Sequence, residues 1–176
     1  IKAGVSIELE KGIPISAGLG GGSADAAAVL WCLNQLYKTN LSIEELQNLA
    51  YILGADIPFC LQGGTLLAEG IGEKLSLLPP MPDCVIVLVK PSYSISTQNA
   101  YQQIQPSMFG DYYTTPLIGA LEENLKIADC LGNILEEVGI KQVPEIQFWK
   151  ERLLKRGALG CLMSGSGPTV FGIFAS

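Results

Sequence analysis

The stretch "IPISAGLGGGSADAAA", Ile13–Ala28, holds four glycines within five residues, Gly18 to Gly22, followed at once by a run of small helix formers. Glycine admits positive φ and lets a ligand approach to backbone distance. A bare loop leading into a helix aims unpaired N–H groups and the positive end of the helix dipole at one point. Such a point suits an anion, phosphate above all. The plain alternative is a tight turn into a helix, with Ser23 as its cap. No lysine follows the glycines, so the G-x-x-x-x-G-K-[ST] phosphate loop is excluded. The dinucleotide pattern G-x-G-x-x-G fails as well, since Ser23 stands at its sixth place.

Outward from the loop, Val5–Glu10 alternates as a half-buried strand would. Ala26, Val29, Leu30, Leu33 and Tyr37 recur at helical spacing, with Asp25 placed in the first turn. Ser42 and Glu45 form a capping-box pair for a second helix that turns Leu46, Leu49, Ala50 and Leu53 inward. Gly54 ends it, in a place that favours positive φ. A short strand is expected at Thr65–Ala68, then a glycine turn, "EGIGEK". Three prolines in "LLPPMPD", Leu77–Asp83, mark the best domain boundary. Beyond it, "CVIVLVKP" reads as a buried strand. Helices are expected at Thr97–Gln103, Pro116–Glu123, Ala128–Val138 and around Ile146–Leu154, closed by Gly157. The end, "GALGCLMSGSGPTVFGIF", reads as strand, glycine turn, strand. The class is α+β.

The 176 residues are 48% apolar and 16% charged, the balance of a folded chain. No stretch approaches the roughly 20 uncharged apolar residues of a membrane span. The five cysteines include no CxxC and read as reduced thiols of a cytoplasm-like compartment. Histidine is absent, which excludes Ser-His-Asp and Cys-His catalysis and most zinc sites. A formal charge of −6 without a basic patch argues against nucleic acid. Any anionic ligand must be held locally.

"KGIPISAGLGGGSADAAA" closely resembles the ATP-binding loop of the GHMP kinases, with Pro14, Gly18 and Leu19 in register. Three further stretches, "LGADIPFCLQGGTLLAEGIGEKL", "KPSYSISTQNAY" and "GALGCLMSGSGPTVFGIF", resemble that family in the right order. The extra glycines and "DAAA" are similar to the branch acting on a cytidine diphosphate-linked methylerythritol in the non-mevalonate isoprenoid route. The resemblance implies a two-domain fold. Residues 1–78 would be part of a ribosomal-protein-S5-domain-2-like ATP-binding domain, incomplete here, and residues 83–176 a ferredoxin-like C-terminal domain.

The activity it implies is ATP- and Mg²⁺-dependent phosphorylation of the substrate's 2-hydroxyl. Rival readings are a homoserine or mevalonate type kinase, or a nucleotide-binding remnant without turnover. Pro14, Ala17, Gly18, Leu19, Gly20, Gly21, Gly22, Ser23 and Ala24 would hold ATP, with Ser23 reaching the metal. Ala24 stands where the family commonly has a second serine. Asp56 would orient or deprotonate the hydroxyl, while Ile71 and Thr97 would line the substrate cleft. Without the family, Asp56 before Ile-Pro is most often a helix N-cap, and so is Thr97; the apolar Ile57-Pro58-Phe59 setting suits Asp56 to base work. The family's upstream lysine and asparagine are not in this sequence, so the chain is expected to be a fragment, weakly stable and inactive alone. The implied location is the bacterial cytoplasm, or a plastid stroma.

Overall fold

The structure, a computed structural model, describes residues 4–108, 110 and 113–176. The chain divides into two compact units. One comprises Ile1–Ile15 with Gly20–Leu77; the other comprises Ser16–Leu19 with Leu78–Ser176. The four residues Ser16–Leu19 therefore fold with the C-terminal unit, although their sequence neighbours on both sides belong to the first.

In the first unit, α1 (Gly21–Leu36), α2 (Ile43–Leu53) and α3 (Ile57–Gln62) pack together, and β1 (Leu66–Glu69) pairs with β2 (Lys74–Leu77) as an antiparallel hairpin. Its core is small: Ala27, Ala50 and Ile57, flanked by Ala26, Leu30, Cys60 and Leu61. Helix α2 begins as its sequence dictates. Ser42 Oγ accepts the Glu45 N–H at 3.2 Å, and the Glu45 carboxylate accepts the Ser42 N–H at 2.8 Å.

Several expectations for this unit are corrected. Val5–Glu10 forms no strand, because no described strand lies beside it, and Val5, Ile7 and Leu9 are exposed. Helix α1 starts early enough that Asp25 falls in the second turn, where it pairs with Lys11. Leu46 and Ala50 are buried, but Leu49 and Leu53 face solvent, since only a narrow stripe of α2 meets its neighbours. Gly54 has φ 174°, an extended conformation open to any residue.

The second unit carries a three-stranded antiparallel sheet of order β3-β5-β4, formed by Cys84–Val89 (β3), Gly160–Met163 (β4) and Val170–Ala175 (β5). Helices α4 (Thr97–Gln102), α5 (Thr114–Glu122), α6 (Leu135–Gln142) and α7 (Glu145–Lys155) precede β4. A core including Leu135, Val138, Ile146, Leu153, Met163 and Val170 joins α6 and α7 to β4 and β5. A ferredoxin-like sheet has four strands; three are present among the described residues.

Strand β3 is not buried. It lies at the sheet edge, and Val85, Ile86, Val87 and Leu88 all remain at least 37% exposed, so both of its faces are open. The helix expected over Ala128–Val138 is two pieces, a 3₁₀ turn at Ile127–Cys130 and then α6. Between them the chain is drawn off the helical path by Asn133, whose side chain is committed to the sheet (below).

Candidate nucleotide loop and substrate residues

Ser16, Gly18 and Gly20 all have positive φ (52°, 71° and 63°), while Ala17 and Leu19 between them do not. Alternation of this kind turns successive N–H groups toward one concavity. The loop's anchorage explains which way they point. Ser164 donates its hydroxyl to the Gly18 carbonyl at 2.7 Å, and the Thr169 N–H donates to the Ala17 carbonyl at 3.3 Å. Ala17 is 2% exposed, with its methyl in the interior. Both peptides that follow these carbonyls are trans, so each N–H opposes its own C=O. With the Ala17 and Gly18 carbonyls turned into the C-terminal unit, the N–H groups of Gly18 and Leu19 face away from it. Neither donates to another backbone carbonyl among the described residues. Gly18 could be no other residue: a Cβ there would overlap the Ser164 carbonyl oxygen and stand 2.8 Å from the Gly167 nitrogen.

Helix α1, in the first unit, has unpaired donors of its own. Its N-cap is Gly20, in the left-handed region, with no side-chain cap. Ser23 therefore does not cap the helix, which removes the plain reading of that residue. The first intrahelical bond is Ala24 N–H to Gly20 C=O at 2.9 Å, leaving the N–H groups of Gly21, Gly22 and Ser23 without helical acceptors. No acidic residue lies in the first turn, so nothing there repels an anion. Around Gly20 and Gly22 a Cβ would meet open space, whereas at Gly21 it would press on Ile13. Pro14 is exposed ahead of the loop.

Asp56 occupies the N-cap position of α3 yet makes no side-chain cap bond, so its carboxylate is not consumed by the helix. Burial pushes the nearby Cys60 thiol up from its ordinary value, and the Asp56 charge adds to the shift. The turn carrying Ile71 lies beside Asp56: the α-carbon of Gly72 packs close enough to the Ala55 carbonyl that an added Cβ would stand 3.1 Å from it. Ile71 itself is 71% exposed, and its N–H is held by the Glu73 carboxylate at 2.7 Å. The Glu73 N–H and this Ile71 N–H hold that carboxyl below its ordinary value.

In the second unit, Thr97 is the first residue of α4 and the cap falls to Ser96, which accepts the Asn99 N–H. The Thr97 hydroxyl is thereby free to meet the Ser166 hydroxyl at 2.8 Å, joining "SIST" to the closing glycine turn. Ser164, Ser166 and Thr169 are functional candidates that sequence reasoning passed over. The turn "MSGSGP" was visible as a motif, but nothing local says that its first serine reaches a carbonyl 146 residues away.

Among the described residues, no group of three Asp, Glu or Cys side chains could hold a metal ion, and no helix is long and apolar enough to cross a membrane.

The chain is 47% identical to the 4-diphosphocytidyl-2-C-methyl-D-erythritol kinase of Pelotomaculum thermopropionicum, over 99% of its own length and 62% of the relative's. It is 48% identical to the Listeria innocua enzyme of the same name, over 98% and 60%. The chain thus spans about 60% of the length of these relatives. A crystal structure of 4-(cytidine 5'-diphospho)-2C-methyl-D-erythritol kinase superposes with a TM-score of 0.79 at 38% identity, covering 93% of this chain and 59% of that one. Homoserine kinase from Cytophaga hutchinsonii gives 0.78 at 26% identity, covering 94% and 59%. The family model for the GHMP kinase N-terminal domain matches residues 1–64, and that for the C-terminal domain matches residues 116–176. With both domain models matched in order and relatives at this identity along its whole length, the chain belongs to the GHMP kinases.

Proposed function

We propose that this chain forms the nucleotide loop and part of the substrate site of an ATP-dependent kinase. Its acceptor would be the 2-hydroxyl of 4-diphosphocytidyl-2-C-methyl-D-erythritol, in the non-mevalonate route to isoprenoids. One observation carries the reading. The carbonyls of Ala17 and Gly18 are tied down, so that the Gly18 and Leu19 N–H groups are presented outward, directly before a helix whose N-terminus has no cap. Preoriented donors of this kind stabilise the charge that develops on a transferring phosphoryl group. The names of the relatives support the choice of acceptor.

ATP is the phosphoryl donor in this reading, held by Pro14 and the run Ala17–Ala24. Mg²⁺ neutralises phosphate charge when bound. It prefers substrate phosphates and water to an all-protein cage. The Ser23 hydroxyl is the proposed contact to it. Asp56, uncommitted to its helix, would accept the proton of the attacking hydroxyl, and Ile71 and Thr97 would bound the substrate. The named relatives are bacterial, and a cytoplasmic location is part of the proposal.

A homoserine kinase reading has one observation in its favour, the nearly equal TM-scores of 0.79 and 0.78. The fold does not choose between alcohols; the side chains do. The experiment is ADP release by the complete protein with each alcohol in turn, followed by phosphorus NMR of the product. The expected result is turnover of the cytidylyl substrate alone, giving a phosphomonoester at the 2-position. Faster turnover of homoserine would replace the proposal, and ATP binding without ADP release from any alcohol would mark a remnant.

A further inference from the structure

Strand β4 lies at the edge of the sheet, and among the described residues no strand pairs with its outward backbone groups. At Met163, the last residue of β4 before the glycine turn, two side chains take the place of that strand. The Met163 N–H donates to the Glu136 carboxylate at 2.7 Å, and the Met163 carbonyl accepts from Asn133 Nδ2 at 2.9 Å. The same amide nitrogen donates to the Gly165 carbonyl at 2.8 Å, inside the turn. Asn133 Oδ1 accepts the Leu135 N–H at 2.9 Å, which fixes the orientation of the amide. Glu136 is in turn paired with Lys150 on α7.

The turn held in this way is the one that seats the loop. Ser164, which binds the Gly18 carbonyl, lies between the two carbonyls that Asn133 grips. A Cβ on Gly165 would come within 3.2 Å of that same Gly18 oxygen, so the turn and the loop touch backbone to backbone. We infer that Asn133 and Glu136 form a clamp whose task is to position the glycine turn, and through Ser164 to aim the Gly18 and Leu19 N–H groups at the nucleotide phosphates. The inference rests on the ATP-loop reading above. Asn133 touches no nucleotide in this scheme and is a positioning residue. Lys150 lies one step further out: it steadies Glu136 without contacting the turn.

The test compares Asn133→Asp, Asn133→Ser and Lys150→Met in the complete protein, reading ATP affinity by calorimetry, the KM of the alcohol, and Tm. Aspartate keeps the size and the bond to Leu135 but sets an acceptor against two carbonyls. Both Asn133 variants are expected to weaken ATP binding about tenfold, the effect of one or two lost hydrogen bonds. The alcohol's KM should change by less than the ATP affinity, because only one of its proposed contacts, Thr97, meets the turn, through the Ser166 hydroxyl. Lys150→Met should lower Tm with a smaller loss of ATP affinity than either Asn133 variant, because it reaches the turn only through Glu136. Wild-type affinity in both Asn133 variants would overturn the clamp while leaving the kinase reading intact. So would an equal loss of affinity in Lys150→Met at equal loss of Tm, since the effect would then be stability alone. If the Asn133 variants do not fold, Ser164→Ala reads the same linkage: several-fold weaker ATP binding is expected, and no change overturns it. A wild-type protein that binds no ATP would overturn both readings together.

Discussion

Ser164 and Gly18, 146 residues apart in the chain, are joined by a 2.7 Å hydrogen bond from the serine hydroxyl to the glycine carbonyl. Around this contact there is no room for a side chain on Gly18, and its φ of 71° is unfavourable for any other L-residue. Gly18→Ala should therefore be among the most damaging single changes in the loop. The left-handed backbone alone costs roughly 1–2 kcal/mol, and the overlap with Ser164 and Gly167 forces the loop off its seat. The expected outcome is a lower Tm together with loss of measurable ATP binding by calorimetry. Gly22→Ala, where a Cβ meets open space and the residue is helical, should leave Tm unchanged or slightly raised. A Gly18→Ala protein as stable as wild type would show that the loop does not sit as described.

Asp56→Asn separates chemistry from binding. The carboxylate makes no cap bond to α3, so its replacement should leave helix and Tm intact. If Asp56 takes the proton of the attacking hydroxyl, turnover by the complete protein should fall by about 10²–10⁴-fold. ATP affinity should hold, since the proposed nucleotide contacts lie elsewhere. Retained turnover would remove Asp56 from its proposed role.

Sequence and structure agree where the controlling interaction is local. The capping box of α2 spans four residues, Ser42 to Glu45, and both of its bonds form. The glycines of the loop likewise declare a backbone need in a short window. What sequence did not reveal depends on partners far along the chain. The apolar run of β3 looks the same at an edge as in a sheet centre, and only the order β3-β5-β4 places it at the edge. The alternating Val5–Glu10 needs a neighbour to become a strand. Periodicity carried a helix straight through Asn133, because nothing nearby reports that its amide is bound to Met163 and Gly165. The anchor at Ser164 was hidden for the same reason.

Glu73 gives a pH-dependent handle on the turn that carries Ile71. Its carboxyl titrates below the ordinary value of 4.5, because its own N–H and that of Ile71 favour the charged form. A group with a depressed folded-state value stabilises the protein fully above its unfolded value. That contribution is lost as pH falls through the lower folded value. Glu73→Gln should therefore reduce the protection of the Ile71 amide against hydrogen exchange at pH 7, with wild type and variant converging as the medium is acidified below the folded-state value. A difference that persisted unchanged into strong acid would mean that the carboxylate is not what holds the Ile71 N–H.

Strand β3 makes the last prediction, about solution behaviour. It hydrogen-bonds only to β5, and its outer edge carries no strand among the described residues. Its six residues, "CVIVLV", contain no charge, and Leu88 is 52% exposed. An uncharged, apolar, open edge is a template for pairing with another chain. A lysine on such an edge opposes that pairing, because a second copy would bring a like charge against it. Leu88→Lys in the 176-residue chain should lower the aggregated fraction in light scattering. The change in folding stability should stay within about 0.5 kcal/mol, as for other exposed positions. Unchanged aggregation would move the source of self-association elsewhere, with the exposed Val5, Ile7 and Leu9 of the first unit the next segment to examine.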